Sequence, residues 1–198
     1  MASTMGTHTA YLSRSTTPHR ASAFTLVELL VTTSVAAVLL AIMAPSMSAM
    51  LNAQKASSIT NTFLASLHLA RSEAIKRNGR AVVCKSADSL QCNSAGGWEQ
   101  GWIVFHDVNN NARLDTDELV VLQQGAAPTG FRLGGNTPVA AYVSYSASGT
   151  AKLLSGAFQA GTFTLCPAAA GSAGDVRRIV LGGPGRPRVQ KGTATDCA

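Results

Sequence analysis

Hydrophobic and polar positions divide this chain into three stretches with different periods. From residue 29 to residue 54 no charged residue occurs, and the run is dominated by Leu, Val, Ala, Ile and Met. A helix of about 20 apolar residues spans a bilayer, so this run is long enough to cross one. Beyond Lys55 the apolar positions thin to a helical repeat. Ile59, Phe63, Leu67, Ala70 and Ala74 recur three or four residues apart, while Lys55, Asn61, Arg71, Lys76 and Arg77 fall mostly off that stripe. Asn78-Gly79 then supplies a helix stop. A single helix over residues 24–78 would be about 80 Å long at ~1.5 Å per residue, far more than a bilayer needs, so its second half must pack on a globular domain.

After Gly79 the repeat shortens to two. Residues 81–84, 102–106, 119–123, 142–146, 162–166 and 178–181 are apolar or alternating runs separated by turns containing Gly, Asn and Pro. The pattern predicts an α+β fold in which one long N-terminal helix packs on a mainly antiparallel sheet, or on two small ones. Composition agrees. Only 13% of the 198 residues are charged and 18 are Gly, which suits short strands and turns and leaves room for one globular domain.

A carboxylate at the head of the apolar run is the anomaly. Placing Glu28 within a bilayer costs roughly 2.5–3.5 kcal/mol, so it calls for a partner, in this chain or in another. Residues 1–23 carry Arg14 and Arg20 and no acids, which keeps that end cytoplasmic and puts everything after the apolar run outside. An ordinary secretory signal has its apolar region before the cut, whereas Ala21-Ser22-Ala23 lies ahead of the apolar run.

The block Ala23-Phe24-Thr25-Leu26-Val27-Glu28, with Pro45 further on, resembles the processing site of type IV pilins and pseudopilins. The resemblance implies that a prepilin peptidase cuts between Ala23 and Phe24 and methylates the new amine. Ala23 stands where the family usually has Gly. It also implies that Glu28 neutralises the N-terminal ammonium of a neighbouring subunit, so that a costly intramembrane charge becomes an assembly signal. The organisation that follows is a leader (1–23), a transmembrane and assembly helix (24–51), its amphipathic continuation (52–78) and a β-rich pilin domain (79–198). The expected location is the inner membrane, crossed once with the C-terminal domain periplasmic, and then a pilus fibre built with other pilins.

Cys84, Cys92, Cys166 and Cys197 all follow the membrane segment. An even number in an exported domain reads as two disulfides. The short polar loop between Cys84 and Cys92 favours that local pair, which leaves Cys166 and Cys197 to tie the chain end to a strand. No C-x-x-C or Cys/His spacing marks a metal site.

Resemblance continues through the domain. Trp98-Glu99-Gln100-Gly101-Trp102-Ile103-Val104-Phe105, the acidic turn at Asp107, Tyr145-Ser146-Ala147-Ser148-Gly149, Phe163-Thr164-Leu165-Cys166 and Gly185-Arg186-Pro187-Arg188 are similar to the GspH/FimT group of minor pilins and pseudopilins. Some FimT-type pilins bind double-stranded DNA during natural transformation through a C-terminal Gly-Arg-x-Arg motif, which Gly185-Arg186-Pro187-Arg188 matches. The implied DNA-binding residues are Gly185, Arg186 and Arg188, with Lys191 as helper. Guanidinium forks bond phosphate oxygens bidentately, and Gly182, Gly183 and Gly185 would let a loop approach the nucleic-acid backbone. From Arg177 onward five basic residues (Arg177, Arg178, Arg186, Arg188, Lys191) face Asp196 alone, so the formal net charge of +6 is partly clustered there. The alternative within the group is a GspH-type pseudopilin of a type II secretion system, whose partners are proteins. Trp98 and Trp102 read as sheet packing rather than a binding platform.

Residues 107–118 place Asp107, Asn109, Asn111, Asp115 and Glu118 at the oxygen-ligand positions of a twelve-residue calcium loop. Ala112 stands at the turn glycine, Arg113 adds a positive charge and the flanks are strands, so a polar hairpin loop with self-capping Asn and Asp is the favoured reading, with calcium binding as the alternative. No phosphate-binding loop, His pair or nucleophile elbow is present, and the expectation is a non-enzymatic protein without a cofactor.

Overall fold

The computed structural model describes residues 24–169 and 175–197, with residues 43–46 described by backbone alone. The leader, including Ala23, lies outside the described residues. Two compact units divide the chain, Met1–Met43 and Ala44–Ala198.

In the first unit, helix α1 (Leu26–Lys76) begins. Thr25 caps it, its hydroxyl accepting the Glu28 N–H at 3.2 Å. Glu28 therefore sits in the first turn, where unsatisfied N–H groups favour a negative charge. Leu26, Val27, Leu29, Leu30, Val31, Val35, Val38, Leu39 and Leu40 are all exposed, and α1 contains a stretch long and apolar enough to cross a membrane. Thr32, Thr33 and Ser34 return their hydroxyls to the carbonyls of Glu28, Leu29 and Leu30, which leaves no donor facing an apolar medium from those side chains.

In the second unit, the remainder of α1 turns its apolar stripe inward. Ile59, Phe63, Leu67, Ala70 and Ala74 are buried, joined by Ala56. The helix ends in a Schellman motif. Asn78 adopts φ 50°, its N–H reaches Ile75 O, and the Gly79 N–H reaches Ala74 O.

Two four-stranded antiparallel sheets follow. The first has the order β3-β2-β1-β5 and the second β4-β6-β7-β8. The strands are β1 (Arg80–Lys85), β2 (Trp102–Asp107), β3 (Val120–Gln124), β4 (Phe131–Gly135), β5 (Tyr142–Tyr145), β6 (Gly161–Pro167), β7 (Arg177–Leu181) and β8 (Pro187–Lys191). Six coincide with the alternating runs in the sequence, within a residue or two. β4 and β8 lie outside those runs, and they are the two edges of the second sheet.

One core joins α1 to both sheets. Phe63 stands at its centre, edge-on to Trp98, Trp102 and Phe163 at centroid distances of 5.2, 5.0 and 4.8 Å. Both indoles are fully buried with their N–H groups satisfied, Trp98 by Val139 O and Trp102 by Ser66 Oγ. A smaller core lies on the far face of the first sheet, where Val82, Cys84, Ile103 and Phe105 are covered by Ala112, with Cys92 and Leu114 packed alongside.

Candidate functional site

The Gly-Arg-Pro-Arg segment spans the connection between β7 and β8. Gly182-Gly183-Pro184-Gly185 forms a tight turn closed by the Gly185 N–H on Gly182 O at 2.8 Å. Gly185 is buried at φ 77°, and a Cβ there would overlap Gly149 O and crowd Ala151 N and the Tyr145 ring. Its bare backbone therefore allows close approach to another part of the protein. Gly149 O in turn accepts the Arg71 Nε–H at 2.8 Å, so α1, the 146–150 turn and the β7–β8 turn are stacked in contact. Tyr145 lies beneath them fully buried, and burial pushes its hydroxyl well above its ordinary pKa.

Arg186-Pro187-Arg188 is built around its proline. Pro187 is buried and opens β8, while Arg186 and Arg188 are exposed. A residue before proline is held out of the helical region and extended. With both arginines on extended backbone two residues apart, alternation sends their side chains to the same side of the sheet. Among the described residues neither has a hydrogen bond or ion pair.

Lys191 does not join them. It lies three residues beyond Arg188, so the pleat turns it to the opposite face, with Pro187 and Val189. There it sits opposite Arg177, beside the Arg177–Asp175 ion pair. The structure separates this residue from the expected site because the segment is a strand and not a loop.

The outward face of the second sheet holds other cations instead. Phe131, Leu133, Phe163, Leu165, Ile179 and Leu181 are buried, so the residues alternating with them point away from the core. These are Arg132 on β4, Thr162, Thr164 and Cys166 on β6, and Arg178 and Val180 on β7. Arg188 and Gln190 complete the face on β8, paired with Val180 and Arg178. Arg132 is exposed and has no hydrogen bond or ion pair among the described residues. Arg178 meets Asp196 at 3.6 Å. The Asp196 carboxylate accepts Thr193 N–H at 2.8 Å and the Thr193 hydroxyl at 3.0 Å; these bonds, and then Arg178, hold it below the usual carboxylate range. Asp196 belongs to a short 3-10 turn, Ala194–Cys197, fastened to β6 by the Cys166–Cys197 disulfide. Sequence reasoning passed over Arg132, because Phe131–Gly135 carries two glycines and gives too short an alternation to read as a strand.

The other features resolve structurally. Cys84–Cys92 is the second disulfide. In the 107–118 loop the carboxylates are engaged by the loop itself: Asp107 accepts the N–H groups of Asn111 and Ala112, Glu118 those of Val108 and Asp115, and Asp115 the amides of Asn109 and Asn111. This is the self-capped hairpin, and Ala112 supplies the positive φ at 56°. At the other end of the described chain, Phe24 is 80% exposed and Glu28 is exposed without an ion pair among the described residues.

Comparison with known proteins now adds to this geometry. The family described as Type II transport protein GspH matches residues 60–185, and the Prokaryotic N-terminal methylation motif matches residues 18–44. Among solved structures, the type IV minor pilin FimU of Pseudomonas aeruginosa is similar, with 14% identity over 77% of this chain and 94% of that one, at a TM-score of 0.48. The minor pseudopilin EpsH from the type II secretion system of Vibrio cholerae is similar over 69% of this chain and 97% of that one, with 14% identity and a TM-score of 0.47. No curated protein matches the chain.

Proposed function

We propose a DNA-binding role for this chain, which belongs to the GspH family of minor pilins and pseudopilins. On this reading it is made as a single-pass inner-membrane prepilin and cut between Ala23 and Phe24. It then enters a type IV pilus, with Glu28 meeting the N-terminal ammonium of a neighbouring subunit. The methylation motif over residues 18–44 supports processing by a prepilin peptidase.

The observation that carries the DNA reading is the state of Arg186 and Arg188. Both are exposed and, among the described residues, unpaired, and the buried Pro187 between them fixes their common direction. Two guanidinium forks held this way suit adjacent phosphates, and phosphate contacts carry no sequence information, so binding is non-specific and governed by salt. Several such subunits along one filament raise a weak affinity through effective concentration.

The test is a salt titration of duplex DNA binding by the full chain in non-ionic detergent micelles, beside an Arg186→Ala/Arg188→Ala variant. The parent is expected to bind, and the variant to lose about two units of log–log salt slope, at ~0.9 per phosphate contact. A parent that does not bind at low salt, or a variant with the parent's slope, sinks the DNA reading. The second reading, a type II secretion pseudopilin with protein partners, draws on the description of the matched family. It is the reading left standing by the first of those results.

A further inference from the structure

The arginines exposed on the second sheet are not confined to the β7–β8 connection. Arg188 pairs with Val180, and Val180 with Thr162. Arg178 pairs with Thr164, and Arg132 pairs with Cys166. Measured along β6, the three arginines therefore stand level with residues 162, 164 and 166 and step across the sheet as they climb. With strands ~4.8 Å apart and ~3.4 Å per residue, the diagonal from Arg188 to Arg132 is about 20 Å. A line of that length reaches several successive phosphates of a duplex. Between the arginines lie Thr162 and Thr164, whose hydroxyls are further phosphate donors. Arg132, Arg178, Thr162, Thr164 and Asp196 line one open groove.

Among the described residues, one anion interrupts that line. The Asp196 carboxylate rests on Arg178 and is placed there by the Cys166–Cys197 disulfide and its bonds from Thr193. A phosphate oxygen bonding Arg178 would compete with it.

We propose that bound DNA runs from Arg186 and Arg188 diagonally across the outward face of the second sheet, over Arg178 to Arg132, displacing Asp196 from Arg178. This rests on the DNA reading above and extends it. Arg132 becomes a binding residue at the far edge of the sheet. The C-terminal turn becomes a built-in competitor that lowers affinity, and the pilin trades tight binding for ready release along the path.

Arg132→Ala and Asp196→Asn test the two halves with opposite signs, measured by anisotropy of a labelled duplex on the full chain in detergent. Lys191→Ala, on the inward face, is the control, and unchanged unfolding midpoints guard against misfolding. Arg132→Ala is expected to weaken binding about 3- to 10-fold and to remove about one unit of salt slope. Asp196→Asn keeps an oxygen for Thr193 but loses the charge, and is expected to strengthen binding by a similar factor. A merely structural contact at Asp196 would leave affinity level or lower it. If Arg132→Ala binds like the parent while Arg186→Ala/Arg188→Ala does not, the path across the sheet is wrong and the DNA reading survives. If Asp196→Asn does not strengthen binding, displacement is wrong. If the parent itself does not bind, both the path and the reading fall.

Discussion

The two sheets share one core, but they differ in what lies on their outer faces. The first sheet is covered on both sides. Its inner face packs on α1, and its outer face, with Val82, Ile103 and Phe105, is roofed by Ala112 and by the loop that the Cys84–Cys92 disulfide holds down. The second sheet presents threonines, Gln190 and three arginines outward, and among the described residues a short C-terminal turn leans on it. The contrast follows from side-chain chemistry on strands of the same pleat. Apolar alternates demand a roof, whereas Arg and Thr alternates are satisfied by water and stay available to a ligand. The surface proposed to bind DNA is the one left open among the described residues.

The sharpest break of this comparison comes at what the sheets hold in common. Phe63 touches Trp98, Trp102 and Phe163, and so ties α1 to both sheets at once. Phe63→Ala is expected to cost about 3–5 kcal/mol in chemical denaturation. It should lower both sheets in one transition, visible as coincident curves by tryptophan fluorescence and far-ultraviolet circular dichroism. Separate transitions would mean that the two sheets are independent units and that the shared core is not what couples them.

Next in size are the disulfides, one under each outer face. They close separations of 8 and 31 residues. Loop-closure entropy assigns them about 2.5 and about 3.7 kcal/mol respectively. The longer is worth more, but the shorter has more to hide. Cys84→Ser/Cys92→Ser frees a loop from Val82, Ile103 and Phe105 and should raise binding of a hydrophobic dye. Cys166→Ser/Cys197→Ser frees a turn from a polar face and should lower stability without that signal. Dye binding by the second variant and not the first would reverse the assignment of the two faces.

The same asymmetry explains what was legible in the sequence. The helix stripe and six strands were readable because each turns apolar residues toward a core, half-buried in β3 and buried in the others, and burial writes an apolar repeat. β4 and β8 are edge strands, but so are β3 and β5, and what sets the first two apart is composition. Phe131-Arg132-Leu133-Gly134-Gly135 ends in two glycines, and Pro187-Arg188-Val189-Gln190-Lys191 opens on a proline and holds one further apolar residue. Missing them concealed Arg132 and left Lys191 grouped with Arg188, because only strand geometry assigns those residues to faces. The Gly-Arg-Pro-Arg motif itself was visible, but the function of its glycine was not. What Gly185 avoids, Gly149 O, lies far away in sequence and is brought near only by folding.

The smallest expected effect asks whether an unpaired cation is enough, or whether its place on the sheet matters. Near the end of α1, Lys76 and Arg77 are held by one carboxylate, Glu73, at 3.4 and 2.7 Å. The Arg77 hydrogen bond, foremost, keeps Glu73 below the usual carboxylate range against the opposing effect of burial. Glu73→Gln releases both cations without adding one. For a pair of this kind the stability cost is about 0.5–1 kcal/mol. Because the folded-state pKa is depressed, that contribution is fully present above the unfolded value of about 4.3 and fades as pH falls through the folded one. Parent and variant should therefore differ at neutral pH and converge in acid. Duplex affinity is the decisive readout. If unpaired positive charge alone made the binding surface, freeing Lys76 and Arg77 would strengthen DNA binding as Asp196→Asn does. If the diagonal of arginines on the open sheet makes it, affinity stays near the parent's. The two substitutions each remove one carboxylate charge, so a difference between them isolates geometry from charge count.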